Sequence, residues 1–141
     1  MSHEPADEMP NKTDRAAGAV KISAQAARPV APVLEKMYQF LLWLIPTVEK
    51  FPKSQKFLLG DRLQTLALDV QEHLIEASYT RDKVARLAQA NLGLEKLRIL
   101  FRLAYDLQLT DQRRYEFAAR AIDEIGRMVG GWLKGQRAPQ A

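Results

Sequence analysis

Two arginines, Arg98 and Arg102, are the residues whose type and spacing best suit a binding function. They lie four positions apart in a stretch with helical periodicity, so their guanidinium groups fall side by side on one flank. Glu95 is within reach of Arg98 and Asp106 is within reach of Arg102, but adjacent cations still repel unless an anion meets them. We interpret the pair as a contact for an acidic partner. Two amphipathic arginines that cover the edges of the core are an equally good interpretation.

A second basic group surrounds Pro52 and consists of Lys50, Lys53 and Lys56. Lys53 and Lys56 fall near the start of a predicted helix, where the positive end of the helix dipole disfavours cations. An external anion would relieve this repulsion, and helix N-termini bind anions readily. Both lysines are therefore candidate binding residues, together with the two arginines.

A third set of cations repeats every seven residues near the C-terminus and has a different explanation. Its members are Arg113, Arg120, Arg127 and Lys134. Glu116 and Glu124 flank Arg120, and Asp123 lies four residues before Arg127, which is a spacing that favours ion pairs within a helix. The pattern is typical of a solvated helix face.

Residues that could support catalysis are scarce. The chain has no cysteine, which excludes disulfides, thiolate metal sites and cysteine nucleophiles. Its two histidines are His3 and His73, and it lacks the Glu-x-x-His motif that holds iron in helical bundles. Ser54 and Ser78 fall at predicted helix ends, where capping explains them. We predict a protein that is not an enzyme and has no catalytic residue, metal site or cofactor.

The net charge of the 141-residue chain is +4, and it is unevenly distributed. Residues 1–32 contain four acids and four bases, so the whole excess lies in residues 33–141. This balance suggests an acidic partner such as nucleic acid. No secretory signal is visible, and the longest charge-free run, 37–48, is twelve residues long and too short to span a bilayer. We expect a cytoplasmic protein with no membrane contact.

Four segments have apolar residues at alternating steps of three and four, which predicts four amphipathic helices. In the third helix, which carries both arginines, the apolar positions are Leu87, Ala90, Leu94, Leu97, Phe101 and Ala104. Short connections favour an all-α, antiparallel, up-down-up-down four-helix bundle. We assign residues 32–135 to this bundle, residues 1–31 to a disordered tail and residues 136–141 to a flexible tail.

Polar residues and one glycine predict where the helices begin and end. Ser54 is the predicted cap of the second helix, which is expected to reach about Ser78. Thr80 with Asp82 begins the third helix, and Thr110 with Asp111 begins the fourth. Gly135 is predicted to end the fourth helix.

Some apolar residues exceed what one buried face requires. The middle of the first helix is apolar on all sides and includes Phe40 and Trp43, whereas a helix in a small bundle normally needs one apolar face. In the third helix, Leu92 and Ile99 are seven residues apart and lie off the apolar face. We interpret these four residues as contacts between copies in a homo-oligomer.

Four stretches, one or more on each predicted helix, carry a resemblance to a known family. They are WLIPTVEKFPKSQKFLLGDR at 43–62, EASYTRDK at 76–83, NLGLEKLR at 91–98 and DEIGRMVGGWLK at 123–134. Together they closely resemble the accessory variability determinant (Avd) family of diversity-generating retroelements. The similarity covers roughly residues 33–135 and leaves out the N-terminal tail.

The resemblance implies a small four-helix bundle that assembles into a pentameric barrel. Members of the family bind the element's reverse transcriptase and nucleic acid, and they support mutagenic copying of template RNA into cDNA. The partners it implies are therefore a reverse transcriptase, template and flanking RNA, and DNA as a further ligand.

The resemblance also bears on individual residues. The family's Leu-Arg-x-x-x-Arg pattern is matched by Leu97, Arg98 and Arg102, and Lys53 and Lys56 match its basic turn between the first two helices. Two alternatives stay open from the sequence. Proteins encoded by intervening sequences of large ribosomal RNA share this bundle, and a plain oligomeric protein adaptor would have the same apolar pattern.

Overall fold

A computed structural model of the protein describes residues 31–137, and over that range the chain forms helices and no strand. The four long helices are α1 (Ala31–Glu49), α2 (Asp61–Tyr79), α3 (Lys83–Asp106) and α4 (Gln112–Arg137). A one-turn α-helix, Lys53–Gln55, and a π turn, Lys56–Gly60, lead into α2 without a break. Except for Ala31, the predicted N-terminal tail lies outside the described residues.

The core lies where the inward faces of the four helices meet. The six apolar positions predicted for α3 are all buried, which confirms the period of three and four on that helix. Trp43 is central: its ring centroid is 4.6 Å from that of Phe117, 5.8 Å from that of Phe40 and 6.1 Å from that of Phe101. The aromatic cluster thus joins α1, α3 and α4.

Phe40 and Trp43 correct one sequence interpretation. They are 0% and 2% exposed, so their side chains pack within the protomer and offer no surface to a second copy. The excess apolar surface of α1 has a simpler cause: this helix packs against both α2 and α4, so it buries more than one face. The exposed large apolar residues of α1 are instead Tyr38 and Ile45.

Two of the three predicted helix starts are confirmed. The Asp82 carboxylate accepts a hydrogen bond from the Ala85 amide at 3.4 Å, and Asp111 accepts one from the Arg114 amide at 2.8 Å. Ser54 does not cap the second helical segment. Pro52 holds that position, and its side chain has no group that could cap a helix; its carbonyl accepts from the amides of residues 55 and 56 at 2.9 Å.

The ends of α2, α3 and α4 are set by different interactions. Lys83 donates through Nζ to the carbonyls of Ala77 (2.7 Å) and Thr80 (2.9 Å), which satisfies the last carbonyls of α2. Helix α3 ends in a Schellman motif, with Gln108 at φ 62° in the left-handed conformation that glycine usually supplies. Helix α4 runs past the predicted stop at Gly135 to Arg137, and no described glycine adopts the positive φ of a glycine C-cap.

A close approach of two backbones fixes the packing of α2 on α3. Gly93 faces Val70, and a Cβ atom at Gly93 would lie 2.6 Å from Val70 Cγ2. Only glycine permits this contact without displacement of its neighbour. Among residues 31–137, no helix combines the length and apolarity needed to cross a bilayer.

Candidate nucleic-acid interface

Arg98 is held by two carboxylates in the folded chain. Its Nη1 donates to Asp123 Oδ1 on α4, and its Nε lies 3.3 Å from Glu95 Oε1 on the same helix. The hydrogen bond to Asp123 is the main reason why the pKa of Arg98 is raised above its ordinary value, and burial opposes it. This arginine therefore connects α3 to α4, and its charge is largely compensated.

Arg102 differs although it lies one turn further along the same flank. Its side chain is 73% exposed, and its Nε is 3.7 Å from Asp106 Oδ2, which is longer than a hydrogen bond. A pair of this length between exposed groups contributes little. The guanidinium of Arg102 is thus available to an external anion.

The acids of α4 do not form the intrahelical pairs that their spacing predicts. Glu124 binds Lys36 of α1 at 3.0 Å, Asp123 binds Arg98, and Glu116 accepts a hydrogen bond from Gln112 at 2.9 Å. The prediction was wrong because these carboxylates have other partners. Two of them bind cations on other helices, and the third accepts a hydrogen bond from a residue one turn earlier on α4.

Two cations that the sequence favoured as part of a solvated face are left without partners. Arg120 and Arg127 are exposed, and neither forms an ion pair or hydrogen bond with any residue in the described range. They lie three residues before and four residues after Asp123, so they border the Arg98–Asp123 bridge. Arg102 borders it from α3. We call Arg102, Arg120 and Arg127 the α3–α4 basic face.

Lys53 and Lys56 lie at the other predicted site and differ from each other. Lys56 Nζ is 2.7 Å from Glu49 Oε1, whereas Lys53 is exposed and has no ion pair among the described residues. No described hydrogen bond or ion pair connects this turn to the α3–α4 basic face. The two arginines of α3 and the two lysines before α2 therefore have no direct polar contact with each other within residues 31–137.

Leu92 and Ile99 lie on the outer side of α3 and are 56% and 57% exposed. Leu103, which the sequence interpretation passed over, is also exposed on this helix. Leu103 lies four residues after Ile99, and this helical spacing indicates in the sequence that both residues share one face of α3. The three form an apolar outer surface of α3, and their role as a contact between copies stays a prediction.

A cavity of about 300 Å³ lies where the end of α1 meets the α3–α4 connection. Its lining includes Thr47, Lys50, Thr110, Asp111 and Arg114. Arg114 Nη1 is 2.5 Å from the Asp111 carboxylate, so two of the charged groups at this cavity already face each other. We assign no ligand to it.

Carboxylates and His73 on α2 do not form a metal site. His73 Nδ1 is 3.6 Å from Glu76 Oε1, and no group of three or more His, Asp or Glu side chains within residues 31–137 is placed to hold an ion.

Comparison with known proteins bears on the relatives of this chain. No curated protein matches the chain. A sequence model of the bAvd-like family matches residues 33–136, a range that includes nearly all of the four helices, the Arg98–Asp123 bridge and both groups of cations. Since the match extends over more than half of the 141 residues, the chain belongs to the bAvd-like family.

Proposed function

We propose that this protein is a non-catalytic accessory protein of a diversity-generating retroelement, which binds the element's reverse transcriptase and its template RNA. The observation that carries the proposal is the family match over residues 33–136. It agrees with the concentration of excess positive charge in residues 33–141. In this role the protein supports mutagenic cDNA synthesis and performs no chemical step itself.

The proposed architecture is an antiparallel, up-down-up-down bundle. Pairs of contacts support this topology: the residue that comes later on one helix contacts the residue that comes earlier on its neighbour, as antiparallel helices require. Between α1 and the chain leading into and through α2 these contacts are Leu34–Gln71 and Val48–Gly60, and between α3 and α4 they are Arg98–Asp123 and Tyr105–Tyr115. Connections of a few residues are what such a topology requires.

The bundle is proposed to assemble as a pentameric ring through the apolar outer surface of α3. Leu92, Ile99 and Leu103 are exposed aliphatic side chains on one helix, and burial against a second copy would remove them from water. A ring repeats the α3–α4 basic face around its axis. Five copies of a modest cationic patch generate a field strong enough to concentrate a polyanion.

RNA is proposed to contact the α3–α4 basic face through its phosphates. Guanidinium groups bind phosphate oxygens in two-point geometry, and Arg102, Arg120 and Arg127 hold no strong internal partner that would compete. Contacts of this kind carry little sequence information. The binding is therefore weakly sequence-selective, and it weakens steeply with salt because counterions are released.

The test is fluorescence anisotropy of an RNA oligonucleotide over a series of salt concentrations. We expect Arg102→Glu/Arg127→Glu to lower affinity and to reduce the slope of log K against log salt by roughly one to two, since each lost phosphate contact removes about 0.7 to 0.9. Arg98 is left unchanged because its substitution would break the bridge to Asp123.

The single variant Arg102→Glu is compared with a matched control, Arg81→Glu, which reverses one exposed charge outside the α3–α4 basic face and outside the apolar outer surface of α3. Both variants alter net charge equally, so a general electrostatic effect would weaken them equally. The proposed surface requires a clearly larger loss in the first variant. Equal losses, or RNA binding by the wild type that is insensitive to salt, would contradict it.

A further inference from the structure

The π turn before α2 presents two large apolar side chains to solvent. Phe57 is 66% exposed and Leu58 is 69% exposed, and among the large apolar residues of the described range only Tyr79 is more exposed. An aromatic ring so open to water is unusual in a folded protein, since burial of a phenylalanine is strongly favourable. The exposure of the Phe57 ring therefore requires a structural explanation, and it suggests that the ring contacts a binding partner.

The cause is the packing of the π turn against the end of α1. The Asp61 amide donates to the Lys56 carbonyl, five residues back, which adds one residue to the turn. Gly60 is buried, and a Cβ atom there would lie 2.7 Å from Val48 Cγ1. Because Leu59 and Gly60 face inward, the residues just before them, Phe57 and Leu58, face outward. π turns of this kind occur frequently at functional sites.

Cations surround the exposed ring. Residues 49–62 contain four bases and two acids. Lys53 lies one helical turn before Phe57 and is exposed, and Lys56 Nζ is 5.9 Å from the centre of the Phe57 ring. Arg62 is also exposed. The local surface is thus an aromatic ring within a positively charged region.

This combination matches the chemistry of single-stranded nucleic acid. Proteins that bind single strands place aromatic rings where bases stack and place cations where the backbone passes. In a duplex the faces of the bases are covered by neighbouring pairs, so only an unpaired base can use the ring. A protein partner that met only Phe57 and Leu58 would gain nothing from the excess of bases around them.

We propose that Phe57 is a stacking platform for an unpaired base of single-stranded RNA, with Lys53, which is exposed and unpaired among the described residues, beside the adjoining phosphate. The inference rests on the proposed nucleic-acid-binding function and adds the form of nucleic acid that is bound. It also gives the π turn a role distinct from that of the α3–α4 basic face: the face attracts phosphates of any strand, and Phe57 selects for bases that are not paired.

The experiment compares an unstructured RNA oligonucleotide with its duplex, using anisotropy and the full-length protein. Phe57→Ala is expected to lower affinity for the single strand roughly 5- to 100-fold. It should leave the salt slope and the affinity for the duplex unchanged, because no charge is removed. Phe57→Trp keeps an aromatic face and is expected to retain single-strand binding.

Leu58→Ala is the matched control, since Leu58 is equally exposed and adjacent but has no aromatic face. It should change affinity less than twofold. Circular dichroism and sedimentation establish that each variant keeps its helices and its assembly state.

Three results would overturn the inference in distinguishable ways. If wild type binds RNA with steep salt dependence and Phe57→Ala binds the single strand equally well, the platform is wrong while the proposed function stands. If Phe57→Ala and Leu58→Ala weaken binding equally and both reduce the sedimenting mass, the π turn is a contact between copies. If wild type binds no RNA, both the platform and the proposed function fail.

Discussion

At the residue scale, two arginines that look equivalent in sequence have different roles in the fold. Arg98 and Arg102 share a flank of α3 and each has one acid within a helical turn. Only Arg98 also meets Asp123, a residue of α4, and this second partner makes it a link between helices. Arg102 keeps an exposed guanidinium. The proposed binding role therefore suits Arg102 better than Arg98.

A double-mutant cycle on Arg98→Ala and Asp123→Ala measures the link directly. Since both side chains are partly exposed, we expect a coupling free energy of about 0.5–1 kcal/mol in urea unfolding. It should fall at high salt. The same cycle on Arg102 and Asp106 is the control and should show a smaller coupling, because the pair is longer and more exposed.

The pH dependence of that coupling follows from the raised pKa of Arg98. A group whose pKa is raised by folding contributes its full stabilisation below its unfolded pKa and loses it only as pH rises through the folded pKa. For arginine both pKa values lie far above the physiological pH range. The coupling should stay constant from about pH 7 to about pH 10, and a decline within that range would show that Arg98 is not the group responsible.

At the element scale, two helical glycines have opposite effects on stability. Gly93 permits α3 to approach α2, because a Cβ atom there would collide with Val70. Gly131 on α4 has no atom within 4 Å of the place where a Cβ would be. The first glycine is required by packing, whereas the second only adds backbone freedom to the unfolded chain.

These contacts lead to opposite effects for the same substitution. Gly93→Ala should lower the free energy of unfolding by about 1–2 kcal/mol, since overpacking against stiff, buried Val70 outweighs the gain in helix propensity. Gly131→Ala should raise it by about 0.5–1 kcal/mol. Chemical denaturation monitored by circular dichroism measures both. Adding Val70→Ala to Gly93→Ala should recover the part of the lost unfolding free energy that comes from the clash. If Gly93→Ala instead stabilises the protein, the two helices can move apart freely and the proposed clash is wrong.

At the scale of the whole molecule, the proposed function depends on surfaces that one bundle leaves exposed. The α3–α4 basic face, the π turn and the apolar outer surface of α3 are distinct sets of side chains. A ring built through the last of these would repeat the other two. Affinity for a long polyanion then grows with the number of copies, because each added contact is made within one complex.

Leu92→Glu/Ile99→Glu tests the ring. Charges on the apolar outer surface of α3 should disfavour burial between copies and shift the particle from five times the 16.0 kDa chain mass to a single chain, while helicity is retained. Analytical ultracentrifugation gives the mass. Leu68→Glu/Ile75→Glu, which charges two exposed aliphatic residues on α2, is the matched control and should leave the assembly intact. The ring proposal fails if both variants dissociate to the same extent or neither does.

Local sequence determined the elements of this protein. The period of apolar residues on α3, and the caps at Asp82 and Asp111, depend on neighbours within a few positions, so they are readable without a fold. The same holds for the family, whose resemblance is spread over all four helices and agrees with the match over residues 33–136. The order of helices and the basic character of the chain follow from the same kind of information.

Tertiary structure decided which side chains are available to a partner. Phe40 and Trp43 are buried because α1 has two neighbours, and Arg98 is compensated by an acid 25 residues away. The exposure of Phe57 depends on a buried glycine packed against the end of α1. Ion pairs and burial of this kind involve residues that are distant in sequence. Their contribution to stability depends on contacts that exist only in the folded chain. Periodicity can therefore place a residue on a helix face, but only the packed bundle determines what that face meets.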